Sequence, residues 1–98
     1  MDRFNKIDKV EVFNKILNKL ADKPILFCLN SIEIIWFWRR GINAKLLFPE
    51  EEEIINIIEY GLNELESEKE KEEVLLNLRQ YFQNIMYLVS RPHVTVGN

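Results

Sequence analysis

The sequence predicts an all-α fold, a small four-helix bundle-like domain whose C-terminal half is an antiparallel helical hairpin. Three observations predict it. Capping-box spacings recur at Asp8, Asn30 and Ser67, and such a box satisfies backbone N–H groups that a helix start leaves free. Apolar residues keep a helical period through the segments that follow. The prolines, Pro24, Pro49 and Pro92, all stand at the boundaries of those segments, where a ring without an N–H does least harm. With 98 residues, 47% hydrophobic and 30% charged, the chain has the composition of a folded domain and not of a disordered segment. One domain spanning residues 1–98 is expected.

The first helix starts from Asp8 as N-cap with Glu11 three residues on, and Ile7 and Val12 occupy the staple positions. Val10, Phe13, Ile16, Leu17 and Leu20 fall within an arc of about 120°, the face expected to be buried. The helix ends before Asp22-Lys23-Pro24.

The second segment admits two readings. Asn30 with Glu33 repeats the capping spacing, Leu29 with Ile34 repeats the staple, and Gly41 suits a left-handed stop. Together they predict a helix over Ser31–Arg40, apolar all round and therefore buried on nearly every side. The alternative is an α+β fold with a short three-stranded meander at residues 25–48, using Ile25–Leu29, Ile32–Trp38 and Ala44–Phe48. Isoleucine, phenylalanine and tryptophan favour strands, but Asn30-Ser31 is a poor hairpin turn.

The third helix opens at or just after Pro49 with Glu50 to Glu53 in its first turn, where the helix dipole favours negative charge. Ile54, Ile55, Ile57, Ile58, Leu62 and Leu65 share one face. Gly61 lies on that face, which predicts close approach of a neighbouring backbone. The fourth helix, Glu68 to Val89, starts from the Ser67/Glu70 box. Its buried arc runs through Val74, Leu75, Leu78, Tyr81, Phe82, Ile85, Met86, Leu88 and Val89. The short break at Ser67 makes helices three and four a hairpin. Residues 91–98 read as a tail, either disordered or an arm that docks on a partner or a second copy.

Charge is unevenly laid out. Residues 1–48 carry nine basic and five acidic side chains, and residues 49–73 carry eleven acids against two lysines, within a net charge of -3. A nucleic-acid binder needs a dominant basic footprint, and the acidic block would repel phosphate. A basic protein partner or head-to-tail self-association suits the pattern better. No secretory leader and no span of about 20 apolar residues is seen. One cysteine, Cys28, allows no internal disulfide and fits a reducing compartment. A cytoplasmic protein with no membrane role is expected.

The inventory for catalysis is thin. His93 is the only histidine and sits in the tail. Cys28 lies among apolar neighbours that disfavour the thiolate. A zinc site needs about four sulfur or nitrogen ligands. Consecutive glutamates at 50–53 diverge by about 100° each along a helix and do not converge on a metal. No glycine-rich phosphate loop is present. Neither a catalytic site, a metal nor a cofactor is expected.

What is left over is surface chemistry. Trp36, Trp38, Arg39 and Arg40 combine residue types enriched at protein-binding hot spots. Leu76 and Tyr87 lie within about 20° of each other on the far side of the fourth helix, a second contact stripe that suits a symmetric dimer. The reading is a non-enzymatic helical module that docks to another protein as a regulator, adaptor, inhibitor or immunity-type factor, with homodimerisation as a further possibility. The alternative is a nucleic-acid-associated protein using the basic half, Lys6 to Lys45.

Overall fold

A computed structural model describes residues 7–90. The tail at 91–98, with His93, lies outside the described residues. Four helices follow in order: α1 (Lys9–Lys19), α2 (Ile25–Trp38), α3 (Pro49–Leu62) and α4 (Glu68–Ser90). The described residues contain no strand, so the meander at residues 25–48 is not formed.

Local chemistry accounts for three of the four starts. Asp8 Oδ1 accepts the Glu11 N–H at 2.9 Å, and Ser67 Oγ accepts the Glu70 N–H at 3.3 Å. These satisfy donors that the first turn cannot use. Pro49 opens α3 as expected, with Glu50, Glu51 and Glu52 in the first turn.

The second helix departs from expectation. It begins at Ile25, directly after Pro24, and not at Ser31. The Cys28 N–H already donates to Pro24 O at 3.0 Å. Asn30 and Ser31 lie inside the helix, and Glu33 does not reach back to a cap. Its Oε2 instead takes Arg79 Nε at 2.8 Å and Gln83 Nε2 at 3.2 Å. The capping spacing is therefore a pair of interior residues, of which Glu33 has tertiary partners on α4. The stop at Gly41 is present. Gly41 has φ +78°, its N–H donates to Trp38 O at 3.0 Å, and Ile42 N–H donates to Phe37 O at 2.9 Å. This pattern is a Schellman stop, which needs a left-handed residue that glycine adopts without strain.

Side-chain pairs give the directions. Lys9 meets Glu73, and Phe13 meets Tyr81 edge-on at 6.1 Å, so α1 runs parallel to α4. Ile16 abuts Gly61 and Lys15 meets Glu64, so α1 runs opposite to α3. The last two helices are thus antiparallel. They touch each other less than either touches α2, and α1 and α2 supply most of the surface on which they pack. The core joins Val12, Ile16 and Leu20 to Ile32, Ile35, Ile54, Ile58, Leu62, Val74, Leu75 and Leu78. Each such side chain contributes about 1.5–3 kcal/mol on burial, offsetting the entropy of ordering the chain.

Two apolar faces differ from the expected arcs. Val10 is 68% exposed, while Val12 is fully buried. The buried stripe of α1 is Val12, Ile16 and Leu20, rotated away from Val10, with Ile7 also packed on the core. On α4, Leu88 and Val89 are exposed. At 23 residues against 14 for α2 and α3, α4 outruns the helices that could cover its last turns.

Candidate functional site

The end of α2 and the segment after it gather the surface chemistry. Residues 42–48 form an irregular strap that returns along α2. Trp38 Nε1 donates to Ala44 O at 2.7 Å, and the Phe27 and Phe48 rings pack with centroids 4.9 Å apart. Glu51, fully buried in the first turn of α3, clasps the far end. Its Oε1 accepts Leu47 N–H at 2.7 Å and Phe48 N–H at 3.2 Å. Its Oε2 has no hydrogen-bond partner among the described residues. Ser31, buried on α2, donates to the Glu51 carbonyl at 3.4 Å and ties the two helices beneath the strap.

The strap is fixed but not covered. Phe37, Trp38, Ile42, Leu46, Leu47 and Phe48 are each between 38% and 68% exposed. Scattered exposed apolar residues are ordinary; a run of six at one end of a helix and its following loop is not. Among the described residues, the N–H groups of Asn43 to Leu46 have no partner within the chain. The face therefore offers apolar area on a segment tied to α2 and α3.

The sequence-predicted residues divide. Trp38 lies in this face. Trp36 is turned inward, half-buried against the core. The Arg40 guanidinium stands 3.5 Å from its ring centroid and that of Arg79 stands 4.8 Å away, so two cations lie against the ring. Arg39 Nη2 donates to Glu68 at 2.6 Å and Arg39 Nε to Glu72 at 3.0 Å; Arg40 Nη2 also donates to Glu72. The two arginines are thus engaged by the acidic start of α4. Leu76 and Tyr87 are both exposed on α4, apart from the strap, and nothing in the described structure joins them to the Trp38 face. Ile42, Leu46 and Leu47 were passed over in the sequence because an irregular loop has no period to reveal its exposure. Their apolar character just before Pro49 was the available signal.

Electrostatics follow the ion pairs. Burial tends to raise the Glu72 carboxyl, but hydrogen bonds from Arg39 and Arg40 outweigh it and hold the group below its ordinary value. Hydrogen bonds from Lys71 and Arg39 lower Glu68 likewise. Burial pushes the Cys28 thiol up to about 11, with Lys23 opposing weakly. A thiol so held stays protonated near neutrality and is a poor nucleophile.

An open groove of ≈ 540 Å³ runs along α3 and is lined by Lys19 of α1 and by Glu52, Asn56, Ile57 and Tyr60 among others. Lys23 pairs with Glu53 at its edge, 2.9 Å apart. Among the described residues, no three His, Cys, Asp or Glu side chains come together to hold a metal ion, and no helix is long and apolar enough to cross a membrane. Compared with protein-family models, curated proteins and solved structures, the chain matches none.

Proposed function

We propose that the chain is a non-enzymatic helical binding module, acting as a regulator, adaptor, inhibitor or immunity-type factor, that docks to another protein chain through the end of α2 and the strap. The observation that carries this reading is the six exposed apolar side chains between Phe37 and Phe48 on a loop tied down at Ala44, Leu47 and Phe48. Anchoring matters because an interface gains only what remains after ordering costs. The strap is held by Trp38, Phe27 and Glu51 before any partner arrives. Leu47, at 68% exposed, and the Trp38 edge are the anchors a partner pocket would take.

The basic half is poorly suited to phosphate. Lys9, Lys15, Lys23, Arg39 and Arg40 each lie against a carboxylate of the same chain. Releasing them for a nucleic acid would cost those pairs, and the charge nearby is acidic.

A pull-down from source lysate with wild type and Leu47→Lys tests the reading. A protein retained by wild type and lost with Leu47→Lys is the expected result. Equal recovery of every protein by both would overturn this face as the docking site.

A further inference from the structure

We infer that Glu51 is the latch of the strap: one buried carboxylate decides whether residues 42–48 are held or released, while the four helices stay packed. The latch acts within one chain and does not depend on what docks there. A glutamate at the third helical position that returns to the N-cap N–H is ordinary. Glu51 departs from that pattern in three ways. Its Oε1 takes the N–H of Leu47, outside the helix, at 2.7 Å as well as that of Phe48 at 3.2 Å. The residue is fully buried, and no lysine or arginine among the described residues pairs with it. Its Oε2 is buried with no hydrogen-bond partner among the described residues.

Such an arrangement does not favour the core. A buried charge without a counter-ion and a buried oxygen without a donor both oppose folding, and apolar residues of similar volume often pack in such places at no loss. An apolar side chain could not accept two N–H groups of the strap. The strap depends on them, because little else holds it. Of residues 42–48, only Ala44 packs against the core. Trp38 ties the strap at Ala44 O and the Phe27 ring meets Phe48, while Glu51 supplies both hydrogen bonds at the far end. Hydrogen bonds to an ionised acceptor are about twice as strong as neutral ones. A segment with few core contacts opens locally without unfolding the rest once such ties are removed.

Amide hydrogen exchange of the purified chain, followed residue by residue by NMR, tests the latch in wild type, Glu51→Ala and Glu51→Gln. The N–H groups of Asn43 to Leu46, without partners among the described residues, supply the unprotected rate in the same molecule. In wild type, Leu47 and Phe48 are expected to exchange about tenfold or more slowly than that rate. Glu51→Ala is expected to abolish the difference. Glu51→Gln, whose amide oxygen can still accept both N–H groups, is expected to keep most of it. The Ile16 and Leu78 amides are expected to stay protected in all three, and Cys28, fully buried on α2, to stay closed to a thiol reagent. Unchanged protection of Leu47 and Phe48 in Glu51→Ala overturns the latch. So does a Glu51→Gln chain that loses as much as Glu51→Ala, since acceptance of the two N–H groups would then not be the cause. Lost protection at Ile16 and Leu78, or a reactive Cys28, in Glu51→Ala overturns it as well, by making Glu51 a support of the whole core.

Discussion

A β-carbon built on Gly61 would stand 2.5 Å from Ile16 Cγ1 and 2.8 Å from its Cδ1. Ile16 is fully buried and β-branched, so it has few rotamers into which to withdraw. Gly61→Ala would gain up to about 1 kcal/mol of helix propensity, but overpacking costs about 1–3 kcal/mol. The net effect is expected to be destabilising by about 1 kcal/mol. Urea unfolding of a double-mutant cycle checks the cause: the cost should shrink or reverse in an Ile16→Ala background, where the clashing atoms are absent. An unchanged cost would mean the contact is not responsible. The sequence placed this glycine on the buried face and so foretold a close neighbour. It foretold a backbone where a side chain sits, because periodicity gives the face of a helix and not what lies across from it. At the same scale, Arg39 and Arg40 looked free in the sequence. Their partners Glu68 and Glu72 lie about thirty residues on, beyond any local pattern.

At the level of elements, caps were the most legible signal. Asp8, Pro49 and Ser67 each begin the helix the sequence assigned them. Within α2 the signal failed because an all-round apolar helix has no phase, so a short polar pair at Asn30-Ser31 read as a boundary. The α4 arc was traced too far, since phase cannot tell where neighbouring helices end. The contact between α2 and α4 carries its own prediction. Glu68 and Glu72 are depressed by their arginine and lysine partners. A carboxyl lower in the folded state than in the unfolded state stabilises the fold above its unfolded value and loses that contribution as pH falls through the folded one. For Glu72 the loss sets in below the ordinary 4.5. At pH 7, Glu72→Gln is expected to lower stability by about 1 kcal/mol, given partial exposure. At pH 3 the gap from wild type should narrow, as read from urea midpoints. A gap of constant size would assign the loss to packing and not to charge.

For the molecule as a whole, the fold class followed from period and punctuation, since apolar stripes of helical spacing can be buried only against one another. The proposed docking face was legible in part. Trp38 was singled out, and the strap was not. Trp36, Arg39 and Arg40 prove to be committed to holding α2 against α4, so of the α2 residues singled out in the sequence only Trp38 belongs to the exposed apolar strap face. All four helices contribute to the core, and the segment joining α2 to α3 is pinned at Ala44, Leu47 and Phe48 while its apolar side chains stay exposed.

The most direct measurement installs a photo-reactive side chain at Leu47 in one sample and at Tyr60 in another, followed by mass spectrometry of adducts formed in source lysate and in the pure chain. Both positions are exposed, so reactivity alone does not separate them. The account predicts a discrete protein adduct from position 47 and none from position 60. A discrete adduct from position 60 with none from position 47 would contradict it.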